Sequence, residues 1–161
     1  MPTRMHERST PARAIVGGGV LVGALDGLYA VLASLLRGND PLRVFLAVAS
    51  GLVGREMAFA GGTGTVLLGL LLHFVVATLI VLTYWALARR FDVLAERPFV
   101  CGAIFGLLAY AGMNMVVIPL SAIERAPLDF RPALAGALVH VFLVGIPAAL
   151  MVRAAVRRQV T

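Results

Sequence analysis

Residues 64–88 read GTVLLGLLLHFVVATLIVLTYWALA, and none of these 25 residues carries a formal charge. An α-helix rises about 1.5 Å per residue, so a helix of this length crosses the ~30 Å hydrocarbon core of a bilayer with some tilt. One histidine, His73, lies inside the stretch, and Arg89 and Arg90 follow it directly. The stretch therefore predicts a membrane-spanning helix.

The composition of the whole chain is that of a membrane protein. Of its 161 residues, 60% are hydrophobic and 14% are charged, whereas soluble domains contain about 45–50% apolar and ~25% charged residues. The formal net charge of +6 is also found in nucleic-acid-binding proteins. Here, however, the arginines lie in short clusters between apolar runs, so we expect a lipid bilayer and no nucleic acid as partner. The single cysteine, Cys101, predicts neither a disulfide nor a zinc site.

Three other apolar runs are long enough to span a membrane. We predict an all-α integral membrane four-helix bundle with spans at about 14–36, 64–88, 99–121 and 133–152. Residues 42–60 are apolar but are interrupted by Arg43, Arg55 and Glu56. They predict an interfacial or partly re-entrant helix at about 41–54, between the first two spans. Residues 14–153 then form one membrane domain between a polar tail at 1–13 and a basic tail at 154–161.

The distribution of arginines predicts the orientation of the chain. The two tails and the loop between the second and third spans contain nine arginines, and the opposite side contains five. Because positively charged residues favour the cytoplasmic side, we expect both termini in the cytoplasm. Tyr84, Trp85 and Phe130 lie near predicted span ends, as expected of aromatic residues at the membrane interface.

Each predicted span contains one strongly polar residue near its middle. At about 1.5 Å per residue, all four lie within a slab roughly one helical turn thick. An aspartate at the centre of a span costs ~2.5–3.5 kcal/mol on insertion scales, so such groups face inward. We therefore expect an intramembrane polar cluster formed by Asp26, His73, Asn114 and His140.

Small residues recur at four-residue intervals on the same helices, a pattern typical of close helix packing in membranes. The pattern Gly-x-x-x-His occurs twice, ending at His73 and at His140. This recurrence suggests an internal repeat of two helical hairpins related by an axis along the membrane normal. The predicted helix-packing glycines are Gly19, Gly23, Gly27, Gly69, Gly102, Gly106 and Gly136.

Three hypotheses explain the polar cluster, and the sequence leaves all three open. In the first, the cluster is structural, its hydrogen bonds fix the helix register, and the biochemical role of the protein is undefined. In the second, Asp26 and the two histidines titrate beside a narrow hydrated path, as in a small transporter or proton-coupled module. Four short helices enclose little space, so such a module is expected to be a homo-oligomer. In the third, His73 and His140 ligate a haem; otherwise no cofactor and no metal site is expected.

Motifs of enzymatic chemistry are absent from the sequence. It contains no Walker-type phosphate loop, no nucleophile elbow and no His-Glu-x-x-His. The glycines at 61, 62 and 64 are not followed by the Lys-Ser or Lys-Thr pair that a phosphate loop requires. We therefore predict that the protein is not an enzyme.

Four short motifs resemble a group of small, uncharacterised four-span bacterial inner-membrane proteins. They are Ala60-Gly61-Gly62, Leu68-Gly69-Leu70-x-x-His73-Phe74, Met113-Asn114-x-Val116-Val117-x-Pro119-Leu120-Ser121, and Gly136-x-x-x-His140. The resemblance covers roughly residues 14–152. It implies an integral membrane protein and brings no activity, cofactor or catalytic residue with it.

Overall fold

The structure is a computed structural model that describes residues 11–122 and 129–160, with side chains up to residue 156. Within these ranges the regular structure is helical and contains no strand. Four helical segments in this part of the chain are long and apolar enough to cross a membrane, and we number them spans 1 to 4: Pro11–Leu36, Gly62–Ala88, Pro98–Leu120 and Phe130–Val156. The predicted all-α four-helix membrane bundle is confirmed.

Spans 1 and 2 are uninterrupted helices, α1 (Pro11–Leu36) and α4 (Gly62–Ala88), whereas spans 3 and 4 each contain a π-helical segment. Two helices connect spans 1 and 2, and a short one connects spans 2 and 3: α2 (Arg43–Val53), α3 (Arg55–Ala60) and α5 (Val93–Glu96). Span 3 consists of α6 (Pro98–Gly112), a π-helix (Met113–Val117) and α7 (Ile118–Leu120). Span 4 lies in α8 (Phe130–Val139), a π-helix (His140–Gly145) and α9 (Ile146–Val160).

Both π-helical segments lie just before an isoleucine–proline pair. Proline has no N–H, and its ring clashes with the carbonyl of the residue four positions earlier. For Pro119 and Pro147 that residue is Met115 and Leu143, and each lies within a π-helical segment. We attribute the wider turns to this clash. A proline at position 119 predicts a bend in span 3. The structure has a π-helical turn just before this residue.

The spans form an up-and-down bundle with Pro11 and Val160 at one end, which we call the terminal end; the opposite end is the loop end. Span 1 packs against spans 2 and 4, span 2 also contacts α9, and span 3 packs against span 4. The Tyr84 hydroxyl donates to the Leu94 carbonyl oxygen at 2.9 Å, so this buried polar group is satisfied. The largest fully buried side chains of the described residues are Tyr84, Val22, Val81, Val144 and Val152.

Helix α2 packs into the loop end of the bundle. Its Phe45 backbone lies against Gly69 of span 2, at a spot where any side chain would collide with the Phe45 carbonyl. The Ala122 N–H, just after span 3, donates to the Gly51 carbonyl oxygen at 3.1 Å. The additional helix predicted at 41–54 is thus present as Arg43–Val53 and contacts the spans on either side of it.

Several segment boundaries differ from those predicted. Span 1 begins at Pro11, and span 4 begins at Phe130 because the Asp129 carboxylate accepts the Arg131 N–H at 3.1 Å and caps the helix. Helix α9 continues to Val160 through the predicted basic tail, and Ala155 is 4% exposed and so belongs to the bundle. The predicted tail at 1–13 falls largely on residues 1–10, and the segment between the predicted third and fourth spans includes residues 123–128; both of these ranges lie outside the described residues.

Candidate functional site

Residues of all four spans line a small cavity of about 70 Å³, most of them from spans 1, 2 and 4. Three of the four predicted polar residues line it: Asp26 from span 1, His73 from span 2 and His140 from span 4. The volume is sufficient for a few water molecules. The remaining wall is apolar and continues into the bundle core; it consists of Val22, Val76, Ala77, Ile80, Met113 and Val144.

His73 forms a hydrogen bond between two spans. Its Nε2–H donates to the Gly23 carbonyl oxygen of span 1 at 2.8 Å. Because a carbonyl oxygen only accepts, the neutral ring has its second nitrogen, Nδ1, available as an acceptor. The rings of Phe45 and Phe74 contact the imidazole edge-on at centroid distances of 6.3 and 5.6 Å. His73 is therefore fixed in orientation and keeps one free basic nitrogen among the described residues.

His140 bonds within its own helix. Its Nδ1–H donates to the Gly136 carbonyl oxygen at 3.0 Å, which leaves Nε2 as the acceptor of the neutral ring. The Tyr110 ring of span 3 contacts the imidazole edge-on with a centroid distance of 5.2 Å. The imidazole is half-buried and lines the cavity opposite span 1.

The Asp26 carboxylate makes no hydrogen bond or ion pair with another described residue. Among the described residues, no fully buried side-chain oxygen or nitrogen lacks a partner, so the Asp26 oxygens must retain accessible surface. Since Asp26 lines the cavity, water there can provide the hydrogen bonds that the protein does not.

Asn114, the fourth predicted polar residue, does not line the cavity. Its Nδ2–H donates to the Tyr110 carbonyl oxygen at 2.9 Å, and its side chain is exposed. The neighbouring Met113 lines the cavity instead. Successive residues of a helix point in different directions, so a helix that turns Met113 toward the cavity turns Asn114 away from it.

The seven predicted packing glycines lie against neighbouring elements. Gly19, Gly23 and Gly27 face Thr78, Phe74 and His73 of span 2. Gly102 and Gly106 face the backbone of span 4, at Gly145 and His140. Gly136 faces the Tyr110 ring, and Gly69 faces α2. A Cβ atom would be tight against the His73 ring at Gly27 and would collide with neighbouring atoms at the other six, so the glycines allow the close approach of the helices.

A second, apolar cavity of about 200 Å³ lies between span 1, α2 and span 2. Its wall includes Gly27, Phe45 and Phe74, and His73 lines it as well. His73 therefore separates an apolar cavity from the polar one.

The polar cavity is smaller than typical sites for organic ligands. Sites for organic ligands have volumes of about 300–1,000 Å³, several times the 70 Å³ found here. Within the described residues, no three His, Cys, Asp or Glu side chains are grouped so as to hold a metal ion.

Two contacts of this site were not predicted. The contact between His73 and Phe74 is not one of them, because these two residues are adjacent in the sequence. Phe45 and Tyr110 approach the histidines from other helices, and no spacing along the chain indicates this.

Four spans with a polar cavity among them define the class, a polytopic membrane protein. No protein family, curated protein or solved structure matches the chain. The resemblance to small bacterial inner-membrane proteins therefore stays a prediction.

Proposed function

We propose that the chain is a non-enzymatic, proton-coupled membrane protein whose proton-binding site is the cavity lined by Asp26, His73 and His140. The observation behind this proposal is that a carboxylate and two imidazoles from three spans line one water-sized cavity. Ionisable groups inside membrane spans are costly, and they typically mark ion paths and proton relays. Imidazole is the side chain that ordinarily changes charge between about pH 5 and 8.

The hydrogen bonds favour this function over a purely structural cluster. A structural cluster needs bonds that join side chains of different spans. The bond from His73 to Gly23 crosses between spans, but His140 and Asn114 bond to carbonyls of their own helices. The Asp26 carboxylate remains available to water or a proton.

We also propose that the protein lies in a bacterial inner membrane with both termini in the cytoplasm. The excess of nine arginines over five on the side of the tails supports this orientation. The up-and-down packing of four spans supports it as well, because it brings Pro11 and α9 to the same end of the bundle.

Infrared difference spectra between low and high pH, recorded on the protein in lipid bilayers, test the proton site. We expect a carboxyl band that titrates and shifts in deuterated water, together with imidazole bands. Asp26→Asn should remove only the component that Asp26 contributes to the carboxyl band, since the chain has eight Asp and Glu residues. It should also alter the imidazole bands, because both groups share the cavity water. The matched control is Asn114→Leu, which removes a polar group at a similar depth but outside the cavity and should leave the bands unchanged.

The opposite outcome supports the structural hypothesis. If Asp26→Asn changes only the thermal stability in detergent and the imidazole bands stay as in the wild type, the cavity is not a proton site. An absorption spectrum of the purified protein with a Soret band, lost in His140→Ala, would support the haem hypothesis.

A further inference from the structure

The terminal end of span 2 carries a crevice that is separate from the polar cavity. Its volume is about 300 Å³, and it is lined by Trp85, Ala86, Arg89 and Arg90. The Arg89 guanidinium lies 4.8 Å from the centre of the Trp85 ring, a cation–π contact that holds this side chain beside the crevice. The small Ala86 side chain leaves the space between the long ones open.

The positive charge of this crevice is not neutralised by the protein. Arg89 and Arg90 are exposed, and neither pairs with a carboxylate among the described residues. Asp92 and Glu96 follow in the same connection but form no such pair. Two guanidinium groups therefore remain with free donors at the end of a membrane span.

The crevice lies at the level of the lipid headgroups. Span 2 ends at Ala88, so the two arginines lie where the hydrocarbon gives way to headgroups. Tryptophan is enriched at that level because its ring is apolar and its N–H is polar. Planar guanidinium groups bind phosphate through paired hydrogen bonds.

We infer that the crevice lined by Trp85, Arg89 and Arg90 binds the phosphate of an anionic phospholipid headgroup. The guanidinium groups bind the phosphate oxygens, and the indole ring contacts the glycerol and upper acyl region. Free phosphate offers the same oxygens without the apolar part, and we commit to the lipid because the crevice has an aromatic wall at the level of the membrane interface. The inference is independent of the proton site.

Trp85 is the only tryptophan of the chain, so its fluorescence reports on this crevice directly. The full chain is placed in bilayers that contain brominated phosphatidylglycerol or, at the same mole fraction, brominated phosphatidylcholine. We expect phosphatidylglycerol to quench Trp85 more strongly. An arginine near an anionic surface contributes about fivefold to binding, so Arg89→Gln and Arg90→Gln should each lower the preference by about that factor, and the double variant should abolish it.

Arg97→Gln is the matched control. It removes a positive charge from the same connection, but Arg97 does not line the crevice, so the preference should persist. Native mass spectrometry gives a second measure: the wild type should retain phosphatidylglycerol in detergent, and the double variant should lose it. Equal quenching by the two lipids in the wild type, or an equal loss in Arg97→Gln, would overturn the inference. Reversal of quenching by excess inorganic phosphate would assign the crevice to a free anion and overturn it as well.

Discussion

The two hairpins of the bundle contain the same short motif and use it differently. In the first hairpin, His73 donates across the helix contact to Gly23 of span 1, and Gly69 packs against the backbone of α2. In the second, His140 donates to Gly136 of its own helix, and Gly136 itself packs against the Tyr110 ring. The motif Gly-x-x-x-His thus fixes the distance between the glycine and the histidine along the helix, but it does not determine which residue accepts the hydrogen bond of the histidine.

The backbone around each histidine explains the difference. Span 2 is a regular α-helix throughout, and its contact with span 1 leaves room for the His73 ring beside Gly23 and Gly27. At His140 the helix widens into a π-helical segment, and the His140 carbonyl is pressed against Gly106 of span 3. The internal repeat stays a prediction based on the sequence pattern, because the two histidines do not have equivalent partners.

The largest expected effect comes from the contact between spans 3 and 4. A Cβ atom at Gly145 would collide with backbone atoms of Gly102 and Gly106, and backbone cannot rotate away as a side chain can. We expect Gly145→Val to destabilise the bundle by about 3 kcal/mol, the upper end of the range for overpacking. Unfolding by sodium dodecyl sulfate in detergent micelles, followed by circular dichroism, measures this.

Gly69→Val tests the corresponding backbone contact in the first hairpin. A Cβ atom there would also meet backbone, that of Phe45, but α2 is not a span and can move. We expect a loss of about 1 kcal/mol together with faster amide exchange at residues 43–53. Gly112→Val, which has open space around the added atom, is the control for both. A loss for Gly69→Val as large as that for Gly145→Val would show that α2 is as essential to the bundle as a span.

The sequence predicts the bundle well because apolar length is a property of single segments. Each span can be recognised from about 20 consecutive apolar residues. The depths of Asp26, His73 and His140 along their spans follow from the rise per residue. Which way a side chain points depends on the rotation of the helix about its axis, and neighbouring spans determine that rotation. Asn114 illustrates this: its depth agrees with the other three polar residues, but Met113 faces the cavity in its place.

The spacing of residues in the sequence does not predict the π-helical segments. The cause is visible in the sequence, since Pro119 and Pro147 each follow an isoleucine near the middle or end of a span. A proline in a span can give a kink, an α-helical bend or a wider turn. Close contacts such as that of Gly145 with span 3 are known only once the helices are packed.

The two histidines give the next largest effect. His73→Phe keeps an aromatic ring between Phe45 and Phe74 but removes the bond to span 1. We expect a loss of about 0.6–2 kcal/mol in the free energy of unfolding, the range for hydrogen bonds between membrane helices. His140→Phe removes a bond within one helix, so it should cost roughly half as much or less.

The same detergent titration compares the two variants directly. Thr83→Val is a suitable control, because the Thr83 hydroxyl donates to Leu79 within span 2 on an exposed face. If His140→Phe lowers the free energy of unfolding as much as His73→Phe does, a hydrogen bond between two spans is no more stabilising here than one within a single helix.

The smallest effect tests the fit between span 1 and the His73 ring. A Cβ atom at Gly27 would lie 3.1 Å from the His73 Nε2 atom, whereas one at Gly17 would have only an ordinary contact of 3.8 Å with Met151. In Gly27→Ala the ring must shift by a few tenths of an ångström, and the bond to Gly23 lengthens. The gain of up to about 1 kcal/mol from replacing a helical glycine offsets this strain, so stability should change by less than ~1 kcal/mol.

The ring nitrogen resonances of His73 should nevertheless move in Gly27→Ala and stay unchanged in Gly17→Ala. Unmoved resonances in Gly27→Ala would mean that the ring is not held against span 1, and the contrast between the two histidines would then rest on the His140 side alone.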